Sequence, residues 1–105
     1  MDPELKVAFE ALAQDASTWD GVGEALSTAR ADIDAIDVYR GAFSFAGLDL
    51  ADSYAELHAT VVTLLGDGAE ATHAGADALR AVRDDFLRYE DIAQSELYAL
   101  WQPVR

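Results

Sequence analysis

The sequence predicts an all-α chain: an antiparallel helical hairpin with a long second helix, pairing into a four-helix bundle. Three observations predict it. Residues 50–101 contain no proline and carry apolar residues at alternating steps of three and four, the spacing of one helix face. A second apolar series repeats every seven residues at Leu5, Leu12, Trp19, Leu26 and Ile33. The 105 residues, spread over two helices, bury little surface, so a partner chain or a second copy is expected to complete the core.

The first helix is expected over about residues 3–40. Asp2 followed by Pro3 forms an N-cap with proline at the first helical position, where a missing N–H costs nothing. Ala8, Val22, Ala29 and Ile36 widen the heptad stripe, and Asp20, Glu24, Asp32, Asp34 and Asp37 take the solvated faces. Gly21 and Gly23 interrupt the pattern at roughly 1 kcal/mol each against alanine, which leaves a continuous helix or a break there as alternatives. Arg40-Gly41 is expected to close the helix. An apolar turn follows over 41–48, in which Phe43 and Phe45 plug the end of the hairpin, and Asp49 caps the second helix, about 49–102. Pro103 lies just past its end.

The stripe of the second helix is Tyr54, Leu57, Val61, Leu64, Gly68, Ala71, Gly75, Ala78 and Val82, then Phe86, Tyr89, Ala93, Leu97 and Leu100. A turn centred near residue 43 or 44 sets Ile33 opposite Tyr54, Leu26 opposite Val61, Trp19 opposite Gly68, Leu12 opposite Gly75 and Leu5 opposite Val82. In that register the glycines make room for Trp19, as large and small residues interdigitate in packed layers. The last turns of the second helix then extend beyond the first. Phe86, Tyr89, Ile92, Leu97, Tyr98, Leu100 and Trp101 crowd this overhang, more apolar surface than a free helix end exposes in water, and are the expected partner-binding residues.

The net charge of −13, with seven basic residues, argues against nucleic acid or an anionic membrane as partner, because phosphate binding needs clustered Lys and Arg. There is no cysteine, hence no disulfide and no thiolate metal site. No apolar run reaches the ~7–15 residues of a signal-peptide core or the ~20 of a membrane span, so neither general secretory export nor membrane insertion is expected.

No catalytic, cofactor or metal site emerges. His58 and His73 lie more than ~20 Å apart along one helix, too far to share a metal. Asp32, Asp34 and Asp37 lack the glycine turn and distal glutamate of a calcium loop. Gly21-Val22-Gly23 and Gly66-Asp67-Gly68 lack the strand and the base of a phosphate cradle. Arg80, Asp84 and Arg88, four apart, are expected to form surface ion pairs. The serines have no base beside them, so an enzyme is not expected.

Two segments carry a family resemblance. Residues Phe45-Ala46-Gly47-Leu48-Asp49-Leu50-Ala51-Asp52-Ser53-Tyr54-Ala55-Glu56-Leu57 and Ala78-Leu79-Arg80-Ala81-Val82-Arg83-Asp84-Asp85-Phe86-Leu87-Arg88-Tyr89-Glu90 resemble the entry to the second helix and the closing stretch of small hairpin proteins of actinobacterial type VII (ESX) secretion systems. These are the WXG-type proteins and their excreted, ESX-associated branch. The similarity spans roughly residues 20–92, with matching length, acidity and scarcity of proline.

The resemblance implies a non-enzymatic secretion substrate, or a co-secreted partner or chaperone. Such a protein pairs with a similar hairpin or with the helical N-terminal domain of a secreted toxin, as a homo- or heterodimer, and is handed to an export ATPase. It implies a cytoplasmic chain that leaves for the cell surface or beyond without a signal peptide. Trp19-Asp20-Gly21 spells the W-x-G motif, but inside the first apolar heptad run; either Trp19 is a packing residue, or the helix breaks at Gly21 and the domain has three helices. The family's export signal, tyrosine with an acidic residue four later, is absent: Tyr54, Tyr89 and Tyr98 are followed at that spacing by His58, Ala93 and Gln102. The nearest substitute is Phe86 with Glu90, beside Tyr89 and Asp91. Competing readings are a cytosolic acidic binding or immunity-type protein that masks a basic surface, and a plain homodimeric bundle.

Overall fold

The computed structural model describes residues 1–37 and 47–101. Helix α1 spans Pro3–Asp34 and α2 spans Leu48–Leu100, and they pack antiparallel as a rod of 95 × 16 × 16 Å. There is no strand among the described residues. The chain is an all-α helical hairpin.

The start of α1 follows its sequence: Asp2 Oδ1 accepts a hydrogen bond from the Glu4 N–H at 2.9 Å, and Pro3 takes the first position. The helix then runs unbroken through Gly21 and Gly23, so Trp19-Asp20-Gly21 lies in mid-helix and the three-helix alternative does not hold. It stops at Asp34, earlier than expected, with the Ala35 N–H bonded to the Ala31 carbonyl at 3.0 Å and the Ile36 N–H to the Ile33 carbonyl at 3.1 Å. Asp32 and Asp34 sit where the helix dipole is negative, and no base occupies the last turn to offset them. Arg40-Gly41, Phe43, Phe45 and Pro103 lie outside the described residues.

The start of α2 also departs from expectation. Its cap is Gly47, which supplies no side-chain hydrogen bond, and Asp49 falls inside the first turn. There it complements the positive end of the helix dipole rather than capping it.

The larger correction is the register. Trp19 lies over Gly75, not Gly68: a Cβ built on Gly75 would meet the Trp19 ring at 2.6 Å. Leu26 takes the place against Gly68, 3.4 Å from a Cβ there, instead of facing Val61. Both partners have moved one heptad along α2. A seven-residue repeat on both helices fits itself equally well after a slip of seven. At the other end of the same shift the Ile33 carbonyl meets His58, where the expected register sets Ile33 opposite Tyr54.

The face that α2 turns to α1 also differs from the expected stripe. The buried and half-buried series is Ala51, His58, Val62, Leu65, Ala69, Thr72, Ala76, Leu79, Arg83 and Leu87, about 100° round the helix from the stripe of large residues. On α1 the buried series is Phe9, Ala16 and Gly23. The seam is therefore built on small residues, with Ala16, Ala51 and Ala76 fully covered, and it lets two helices approach closely. Gly23 has a specific cause: a Cβ there would stand 2.8 Å from His73 Nε2 and 2.9 Å from Thr72 Oγ1. Phe9 is the one large side chain buried among the described residues.

Candidate helical interface

The hairpin has two unlike long edges. Along one edge the helices are joined by polar contacts. Asp20, on α1, accepts from His73 Nδ1 at 2.8 Å through one carboxylate oxygen and from Arg80 through the other. An ionised carboxylate only accepts, so Nδ1 of His73 carries the proton. Hydrogen bonds from His73 and then Arg80 hold the Asp20 carboxyl below its ordinary pKa, and Asp20 in turn raises that of Arg80. The other ring nitrogen of His73 lies 3.7 Å from Glu24.

Two further bonds tie side chains of α2 to the backbone of α1. His58 Nε2 donates to the Ile33 carbonyl at 2.6 Å, and Arg83 Nε donates to the Phe9 carbonyl at 3.1 Å. Asp20 holds His73 and Arg80, which stand seven residues apart, at the same time, and a slip of one heptad either way would leave it only one of the two, so this pair of contacts specifies a register that the apolar repeat alone leaves open. Arg80 thus pairs across the hairpin, and with Asp77 at 3.4 Å, rather than with Asp84 as the four-residue spacing suggested; Asp84 lies 3.9 Å from Arg83.

The opposite edge is apolar and uncovered. Leu50, Tyr54, Leu57, Leu64, Val82 and Phe86 are all exposed there, Leu64 to 63% and Phe86 to 56%. Tyr54 and Val82, expected in the hairpin core, belong to this open face; Val61, Gly68 and Gly75 are half-buried at its margin. Helix α1 adds Trp19, 45% exposed over Gly75, together with Val22 and Ile36. Ile33, Ile36, Tyr54, Leu57, His58 and Val61 line one shallow groove of about 180 Å³, which shows that the apolar flanks of the two helices lie on the same side. Leu12 is half-buried in the seam.

The expected partner-binding residues sit at the far end of this face. Phe86 and Tyr89 are exposed although α1 still runs beside them, since a groove lined by Met1, Lys6, Phe9, Glu10, Arg83 and Leu87 closes the open end of the hairpin. The overhang begins near residue 91 rather than 86, and every residue of 91–100 is exposed. Ile92, Leu97, Tyr98 and Leu100 lie there, and Trp101, which caps α2, is 80% exposed. Phe86 and Glu90 stand one turn apart, Glu90 half-buried and accepting from Gln94 Nε2 at 3.2 Å, with Tyr89 and Asp91 exposed beside them.

Sequence reasoning placed exposed apolar surface in the overhang alone and missed its extension up the hairpin through Leu64, Leu57 and Leu50. A signal for it is present in Val61-Val62, Leu64-Leu65 and Phe86-Leu87. Adjacent apolar pairs put apolar side chains on two faces about 100° apart, and α1 covers one of them.

Among the described residues no group of three or more His, Cys, Asp or Glu is placed to hold a metal ion, and no helix is long and apolar enough to cross a membrane. Comparison with protein-family models, curated proteins and solved structures finds no match.

Proposed function

We propose that this chain is a non-enzymatic helical hairpin of the type VII secretion class, which pairs through its apolar edge with a second helical chain for export. The observation that carries the reading is the one-sided apolar face from Leu50 to Leu100, joined by Trp19, Val22 and Ile36, on a hairpin whose buried seam positions are alanine and glycine apart from Phe9. Exposed contiguous apolar surface of this extent marks an interaction site, and a helical partner laid along it completes a four-helix bundle. The resemblance of residues 45–57 and 78–90 to ESX-associated hairpins supplies the secretion context. The partner is a similar hairpin or a toxin's helical N-terminal domain, and the aromatic overhang serves as the tail that the export machinery reads.

Co-expression with the helical chain encoded beside it tests this reading. A stable complex is expected, and both chains should stay in the cell when the export ATPase is inactivated. Changing Tyr98→Ser together with Trp101→Ser should reduce export while leaving the hairpin folded by circular dichroism. Unchanged export of the double variant would remove the overhang from recognition, and two chains that elute separately would remove the pairing.

A further inference from the structure

The border of the apolar edge selects among partners. On the side away from α1, Asp49, Glu56, Asp67, Asp85 and Glu96 each stand one residue before a stripe position, at Leu50, Leu57, Gly68, Phe86 and Leu97. All five are exposed, and Arg88, before Tyr89, is the one base in that row. On α1, Asp15 is exposed seven residues before Val22.

The other described bases stand away from this row: Arg80 and Arg83 tie the two helices together, Arg30 lies over Gly66 on the opposite side, and Lys6 lines the groove at the open end of the hairpin, while Arg40 and Arg105 lie outside the described residues. A second copy laid on this edge would bring −13 against −13 and offer almost no cation to the facing carboxylates. Like charges at the rim of an apolar seam oppose pairing, and complementary charges both favour and accelerate it.

We infer that the occupant of this edge is a helical chain whose apolar seam is bordered by lysine and arginine, and not a second copy of this protein. The inference rests on the apolar edge being the pairing surface, and it names what the pairing reading leaves open. The carboxylate row reads the partner's cations along the length of α2, while the stripe between supplies the contact area.

Two synthetic helical peptides with one shared leucine heptad seam test it, one bordered by lysine and one by glutamate, each titrated into the full chain and followed by tryptophan fluorescence. The lysine-bordered peptide is expected to bind at least about tenfold tighter at about 50 mM salt, with the ratio shrinking toward unity at about 500 mM as the Debye length falls. In a chain carrying Asp67→Lys and Asp85→Lys the preference should shrink or reverse, and in wild type the salt series tests the same point without a substitution. The chain alone should be monomeric by light scattering at low salt. Equal binding of both peptides, no binding of either, or a dimer of the chain at low salt would each overturn the inference. Peptide discrimination without any export of the chain would remove the secretion reading and leave the partner's chemistry standing.

Discussion

Replacing Gly75 by leucine should cost the hairpin about 1–3 kcal/mol, the range for overpacking a filled site. The Trp19 ring stands where the new side chain would begin, with Cε3 and Cζ3 both 2.6 Å from the added Cβ, so the indole must leave its place over Gly75 and lose that packing. Gly68→Leu meets only the flexible Leu26 Cδ1 at 3.4 Å, so its loss should be smaller. Gly21 has nothing within 4 Å of its added Cβ, and Gly21→Ala should gain roughly 0.5–1 kcal/mol from helix propensity alone. Urea midpoints at constant m-value rank the three. A larger loss at Gly68 than at Gly75 would place Trp19 one heptad back on α2.

The second large effect concerns binding rather than folding. Leu57, Leu64 and Phe86 are exposed in the hairpin, so changing all three to serine should move its own stability by no more than about 0.5 kcal/mol per site. At a pairing surface the same side chains act as central anchors. Each should cost about 2 kcal/mol or more of association, on the order of thirtyfold in Kd for each one lost. Isothermal titration with the co-expressed helical chain measures this directly. Binding that survives the triple change would move the interface off this edge, and a chain that unfolds would mean that these residues are core.

The architecture was legible in the chain because two independent periodicities and the Asp2-Pro3 start agree on helix. The register was not, since a heptad repeat carries no information about slips of seven. The residues that do fix it, Asp20, His73 and Arg80, look in sequence like ordinary solvated charges. The seam between the helices was hidden for a related reason. Ala16, Gly23, Ala69 and Ala76 add little to an apolar pattern, yet their small size is what lets the helices touch. The large residues Tyr54, Leu57, Leu64 and Val82 dominate the stripe and read as core, yet the structure leaves them open. The exposed end at Ile92, Leu97, Tyr98, Leu100 and Trp101 was legible because antiparallel numbering carries the end of α2 past Pro3, where α1 starts.

Hydroxyl-radical footprinting of the isolated chain, followed by the same measurement on its complex with the helical partner, tests most directly whether α1 leaves one apolar face of α2 open. In the isolated chain Tyr54, Leu57, Leu64 and Phe86 should react at rates close to those of the unfolded protein, while Phe9, Leu65 and Leu79 are protected. In the complex the first set should become protected and the second should not change. Protection of Leu57, Leu64 and Phe86 already in the isolated chain at monomer concentrations would mean that α1 itself covers the stripe, and would contradict the open interface.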